Sequence, residues 1–182
     1  MGRKIAIFFL VFFAAAGTHG FQEAKQWIKL SPSDGRFTVL MPGKPSSETQ
    51  DYGEYTDHSF IADTGLATYE VGYSELTKTI PDAELALDFA RNALLLLKDS
   101  KLLSETKISL SGYSGREIKV ASIRGIFKNI TRLYVVGNRM YRVRVIVTPA
   151  NKNLSQDINK FFSSFKFTRP NERVSGNRTT EE

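Results

Sequence analysis

The residues best suited to do chemistry are four cations in one segment. Lys128, Arg139, Arg142 and Arg144 interleave there with Tyr134 and Tyr141. Guanidinium and ammonium groups set among aromatic rings have the make-up of an anion-binding face, nucleic acid included. Export of the chain, argued below, removes nucleic acid as the partner, and aromatic strand residues ordinarily belong to a core. Arg139, Arg142 and Arg144 are therefore expected to contact a protein or envelope component. Reversing the charge at Arg142 and Arg144 is expected to weaken capture of that partner with little change in thermal unfolding.

Other reactive types are sparse. His58 stands in Asp57-His58-Ser59, but neighbours on a strand point to opposite faces, so the three do not form a nucleophile, base and acid relay. With no cysteine, disulfides, a lipid-modified cysteine, thiol catalysis, thiolate metal sites and iron–sulfur clusters are excluded. One imidazole outside the leader is too few ligands for zinc. Glu48, Asp51, Glu54, Asp57 and Asp63 have oxygen ligands for a hard cation but lack the spacing of a calcium loop. No cleft motif marks a glycosidase pair among these acids. Gly112-Tyr113-Ser114-Gly115-Arg116 has a glycine rhythm without the Lys-Ser/Thr ending of a phosphate loop, and reads as a turn. The sugar-acceptor triplets at Asn129, Asn153 and Asn177 matter only in a host with that machinery, and read as chance. No catalytic residue, metal or cofactor is expected.

The N-terminus gives an address. Arg3 and Lys4 precede the apolar run Ile5 to Ala16, and small or polar residues follow to Gly20. This is the pattern of a secretory signal over residues 1–20, too short for a bilayer span of roughly 20 apolar residues. Residues 21–167 then make one domain, and residues 168–182, polar and aperiodic with Pro170 and Gly176, are expected to be a disordered tail. The expected protein is periplasmic or extracellular, with no transmembrane span after cleavage. Its net charge of +6 is unevenly spread: residues 21–97 hold 6 basic and 12 acidic side chains, and residues 98–182 hold 17 and 7. Such an imbalance arises from a binding face for anions, or from two halves that pair when folded. The second reading is preferred.

The elements that must position these residues follow from periodicity. Trp27 to Leu30 and Phe37 to Met41 read as strands across the turn Ser31-Pro32-Ser33-Asp34-Gly35, followed by strands at Tyr52 to Ala62 and Ala67 to Ser74. Pro81 to Leu97 is an amphipathic helix, with Leu85, Phe89, Ala93 and Leu97 recurring every four residues. Thr79 and Asp82 supply a capping start. Strands then run over Lys107 to Leu110 and Arg116 to Ser122. Gly137-Asn138 turns a hairpin from Phe127–Val136 into Arg139–Val147, pairing Tyr134 with Tyr141 and Val135 with Met140. Both hairpin faces are substantially apolar, so helices or long loops must cover part of each. Leu154 to Phe165 is a second helix, and Phe165 to Phe167 returns as a short edge strand. The fold class is α+β.

Four stretches together carry a family resemblance. They are Trp27-x-x-Leu30-Ser31-Pro32-Ser33-Asp34-Gly35-Arg36-Phe37 with Met41-Pro42-Gly43-x-Pro45, then Gly112-Tyr113-Ser114-Gly115-Arg116-Glu117, Tyr134-x-x-Gly137-Asn138-Arg139-x-Tyr141, and Phe161-Phe162-x-Ser164-Phe165. Over Trp27 to Phe167 the chain resembles exported bacterial proteins with the architecture of PsbP and Mog1. The resemblance implies an αβα sandwich on a curved, mainly antiparallel sheet, without catalysis of its own. PsbP proteins are extrinsic subunits of a photosynthetic membrane complex and Mog1 binds a small GTPase, so docking onto larger partners is the shared theme. The expected function is a non-enzymatic binding or docking domain that associates with an envelope or membrane protein complex. The alternative is a small-molecule or ion carrier with a pocket between the first helix and the sheet.

Overall fold

A computed structural model describes residues 26–96, 99–123, 125–147 and 154–168. The signal expected over residues 1–20, the helix end expected at Leu97 and Lys98, and the tail expected beyond Thr168 lie outside the described residues.

Among the described residues, two sheets and two helices build the fold. The large sheet is antiparallel throughout, in the order β3-β4-β5-β9-β8-β7-β6. Its strands are β3 (Ser46–Asp51), β4 (Tyr55–Asp63), β5 (Ala67–Leu76), β6 (Lys101–Leu110), β7 (Tyr113–Ser122), β8 (Phe127–Val136) and β9 (Arg139–Val147). The small sheet places β2 (Phe37–Pro42) between β1 (Trp27–Leu30) and β10 (Lys166–Phe167), again antiparallel. Helices α1 (Ala83–Leu94) and α2 (Ser155–Ser164) follow β5 and β9.

The β8–β9 hairpin is the organiser. Gly137 takes a positive φ of 63° while Asn138 does not, which suits a type II′ turn whose twist matches the flanking strands. The register pairs Tyr134 with Tyr141 and Val135 with Met140, as the sequence predicts. Tyr141, Val143 and Val145 then face one side with Tyr69, Val71 and Tyr73 of β5, under Phe37, Val39 and Met41 of the small sheet and Phe161, Phe162 and Phe165 around α2. On the other side, Leu133 and Val135 join Ile118 and Val120 beneath Leu87 and Leu94 of α1. Cover on both faces explains why this hairpin lacks a clean polar alternation.

Three elements depart from expectation. Strand β3, Ser-Ser-Glu-Thr-Gln-Asp, is exposed along its whole length and carries no apolar period; it exists because β4 offers it a ladder. Strand β6 starts at Lys101, six residues before the segment predicted from sequence, and bulges between Leu102 and Ser104. Helix α1 forms where predicted but is rotated. Its cap is Asp82, whose side chain accepts a hydrogen bond from the Leu85 amide at 3.0 Å. Leu87 is fully buried, whereas Leu85 and Phe89 are 53% and 62% exposed. The reason is twofold: Ala83, Ala86 and Ala90 let the helix lie close on the sheet, and Glu84 and Asp88 must reach Arg116 of β7.

Candidate docking surface

The structure divides the three arginines expected to form one binding group. Arg139 lies on the face of Tyr141, and Arg142 and Arg144 on the opposite face, because residues alternate along β9. Arg139 donates from Nε and Nη2 to Glu75 Oε1 at 3.1 and 2.9 Å, and from Nη1 to the Asp34 carbonyl. Its guanidinium carbon sits 4.7 Å from the Tyr73 ring centroid, so this side chain ties the β1–β2 turn to the large sheet.

Arg142 and Arg144 converge on Glu70. Arg142 donates to Glu70 Oε1 at 2.6 Å and to Asp57 Oδ2 at 3.1 Å, while Arg144 donates to Glu70 Oε2. Ser74 completes the group by donating to Asp57 Oδ1 at 2.6 Å. Burial alone would raise the Glu70 carboxyl, but the two guanidiniums override it and hold the group down to about 2. The Arg142 guanidinium is raised: its burial opposes the charge, and Glu70 and Asp57 outweigh that. These cations are engaged inside the sheet, unlike the open basic face expected of them. The further expectation that charge reversal at Arg142 and Arg144 spares stability is corrected, because a reversed charge at Arg142 would be buried against Glu70 and Asp57.

A second knot fixes α1. Arg116 donates to Asp88 at 2.5 Å, to Glu105 of β6 at 2.6 Å and to Glu84 at 3.1 Å. Arg91 joins it through Glu105 at 3.1 Å. The acids considered as cation ligands are dispersed. Asp51 and Asp63 each accept an amide hydrogen bond two residues on, at 2.8 and 2.7 Å, and Asp57 serves Arg142. Among the described residues no group of three His, Asp and Glu side chains is placed to hold a metal. His58 stacks on Tyr73 with ring centroids 4.5 Å apart, and its Nδ1 lies 3.1 Å from Thr49 Oγ1.

An apolar stripe on α1 faces outward, as do Leu103, Ile123 and Ile126 elsewhere on the described surface. At 100° per residue, Leu85 and Phe89 fall opposite Leu87 and Leu94, and Leu96, just past the helix end, is 78% exposed. Leu85 and Phe89, with Asp88, Arg91 and Asn92, line a shallow groove of about 370 Å³. Sequence periodicity placed Leu85 and Phe89 in the apolar stripe of an amphipathic helix. The signal that separates the two sides is residue size: Ala83, Ala86 and Ala90 flank Leu87 on the packed side, where a close helix–sheet approach needs small residues. The interval between α1 and the sheet is filled by Leu87, Leu94, Ile118, Val120, Leu133 and Val135, where the carrier reading placed a pocket.

Cyanobacterial PsbP (CyanoP) from Synechocystis sp. PCC 6803 superposes with a TM-score of 0.57 at 12% identity, over 83% of this chain and 98% of that one. The fold is PsbP/Mog1-like. LpqN of Mycobacterium tuberculosis, described as involved in cell envelope biogenesis, gives 0.52 at 16% identity, over 79% of this chain and 91% of LpqN. No family model matches the sequence, and no curated protein matches it. At these identities the likeness concerns the fold alone. Among the described residues no helix is long and apolar enough to cross a membrane.

Proposed function

We propose that this chain is an exported, non-catalytic docking domain that seats the outer side of α1 on an envelope or membrane protein complex. We read its helices as the outer layers of an αβα sandwich, one held by the core and one available for contact. The observation that carries the proposal is the exposure of Leu85 and Phe89 on a helix whose other side is packed, with Leu96 exposed just past its end. A large aromatic and two leucines exposed to solvent are a binding surface in the making, because covering them gains about 25 cal/mol per Å² of apolar area. Arg139, Arg142 and Arg144 join β9 to β5, β4 and the β1–β2 turn, away from that surface. The fold likeness to LpqN supports an envelope setting, and the leader pattern of residues 1–20 supports export. The carrier alternative has less support, since the space it needs is occupied by side chains.

A photo-cross-linking residue placed at position 89, and in a second protein at the exposed position 48 of β3, tests the reading in the native envelope. Position 89 is expected to yield a discrete cross-linked protein and position 48 none. Leu85→Gln with Leu96→Gln, in the protein that carries the probe at position 89, is expected to abolish the product while shifting unfolding by less than about 0.5 kcal/mol per site. Equal products from both positions, or a product that survives the double substitution, would remove α1 as the docking element.

A further inference from the structure

A basic groove lies on the other side of the large sheet from α1, between α2 and the small sheet, with a volume of about 440 Å³. Register places its residues. Lys29 pairs with Leu40 and Lys166 with Thr38, so alternation sets all four on one face of the small sheet, opposite Phe37, Val39 and Met41. Lys160 reaches in from α2, with its Nζ 4.7 Å from the Trp27 ring centroid. Among the described residues three lysines and no carboxylate line the groove, and none of the three forms an ion pair with a carboxylate.

This excess of positive charge is not met by the helix end. The carbonyl terminus of α2 supplies roughly half a negative charge, against three ammoniums. The Ser164 hydroxyl is committed, accepting from the Leu40 amide at 2.9 Å and donating to the Phe161 carbonyl at 2.7 Å. The hydroxyls of Thr38 and Ser163 also line the groove, and Ser163 makes a long 3.3 Å bond to the Lys160 carbonyl that a better acceptor would displace.

We propose that this groove binds a phosphate group, with Lys29, Lys160 and Lys166 as its counter-cations and Thr38 and Ser163 as hydrogen-bond donors. A lone carboxylate would leave two of the three ammoniums uncompensated, whereas a phosphate monoester carries about 1.5 to 2 negative charges near neutral pH. Ammonium groups on flexible stems meet its oxygens as point charges without the planar geometry a guanidinium demands. The volume falls within the roughly 300–1,000 Å³ of small-ligand sites. A phosphate in this position comes either from a soluble phosphate compound or from a lipid headgroup at a membrane surface. The site is independent of the α1 surface, and its failure would leave that reading untouched.

Trp27 is the only tryptophan in the chain and lies under Lys160, so its emission reports on the groove. The emission is titrated with inorganic phosphate, with vesicles containing phosphatidic acid, whose headgroup is a phosphate monoester, and with phosphatidylcholine vesicles, against chloride at matched ionic strength. A saturable change is expected with phosphate, with phosphatidic acid, or with both. Saturation by phosphate assigns a soluble ligand, and a response to phosphatidic acid alone assigns a headgroup. Lys29→Gln with Lys166→Gln leaves the Lys160–Trp27 contact in place and is expected to weaken binding about tenfold or more with unchanged thermal unfolding. A response that chloride reproduces, no response to either phosphate source, or full binding by the double variant would each overturn the proposal.

Discussion

Glu70 is held between two guanidiniums, and the effect of removing it follows from what would be left behind. Glu70→Gln keeps the shape but strands Arg144 and half of the Arg142 pairing in a buried site. Breaking one partner of a buried ion pair costs about 3–5 kcal/mol, so urea unfolding of this variant is expected to show a loss of that order. Lys107→Gln offers the contrast. Its ammonium is 2.9 Å from Glu84, yet the Lys107 side chain is 78% exposed, and its loss should fall within about 0.5 kcal/mol. Similar losses for the two would contradict the assignment of the Glu70 cluster as a structural centre. Alternation along the hairpin sets Arg142 and Arg144 on one face. It could not name their partner, because Glu70 lies 72 and 74 residues away and meets them only through the β5–β9 register.

Elements with their own punctuation were legible and those defined by neighbours were not. Gly137-Asn138 between apolar runs announced β8–β9, and the steps Leu154, Ile158, Phe161, Phe162, Phe165 announced α2. Strand β3 carries no period because neither of its faces is buried. The rotation of α1 was hidden because leucines occupy both its sides, so only the ion pairs with Arg116 and the alanine side decide which one packs. Gly115 shows the same dependence on neighbours. Sequence made it part of a turn, but it lies within β7, where a Cβ would stand 2.4 Å from the Leu133 carbonyl oxygen and 2.5 Å from the Tyr134 ring. Backbone must move to admit it. Gly115→Ala is therefore expected to cost about 1–3 kcal/mol and to speed amide exchange along β7 and β8 while leaving β3 and β4 unchanged. Uniform acceleration across the sheet would mean that the contact is not local.

At the scale of the whole molecule, the uneven charge of the chain resolves into pairing between its two halves. Glu70, Glu75, Asp57, Glu84 and Asp88 from the acidic half meet Arg142, Arg144, Arg139, Lys107 and Arg116 from the basic half. This coupling makes stability depend on acid. Burial would raise the carboxyls of Glu70 and Glu117, but Arg144 and Arg142 lower the first, and Arg132 with Lys119 lowers the second. A carboxyl lowered on folding binds fewer protons in the native state than in the unfolded one. Its contribution is thus complete above the ordinary value of 4.5 and drains as pH falls toward about 2 for Glu70. Below that range the basic half faces itself without counter-charge. The urea midpoint is expected to be level from neutral pH down to about 4.5 and then to fall steeply. Glu70→Gln should start lower and fall less steeply across the same interval, because its largest native-state proton difference is gone. If the two curves run parallel, the acid sensitivity belongs to other carboxylates, and the Glu70 cluster does not couple the halves as described.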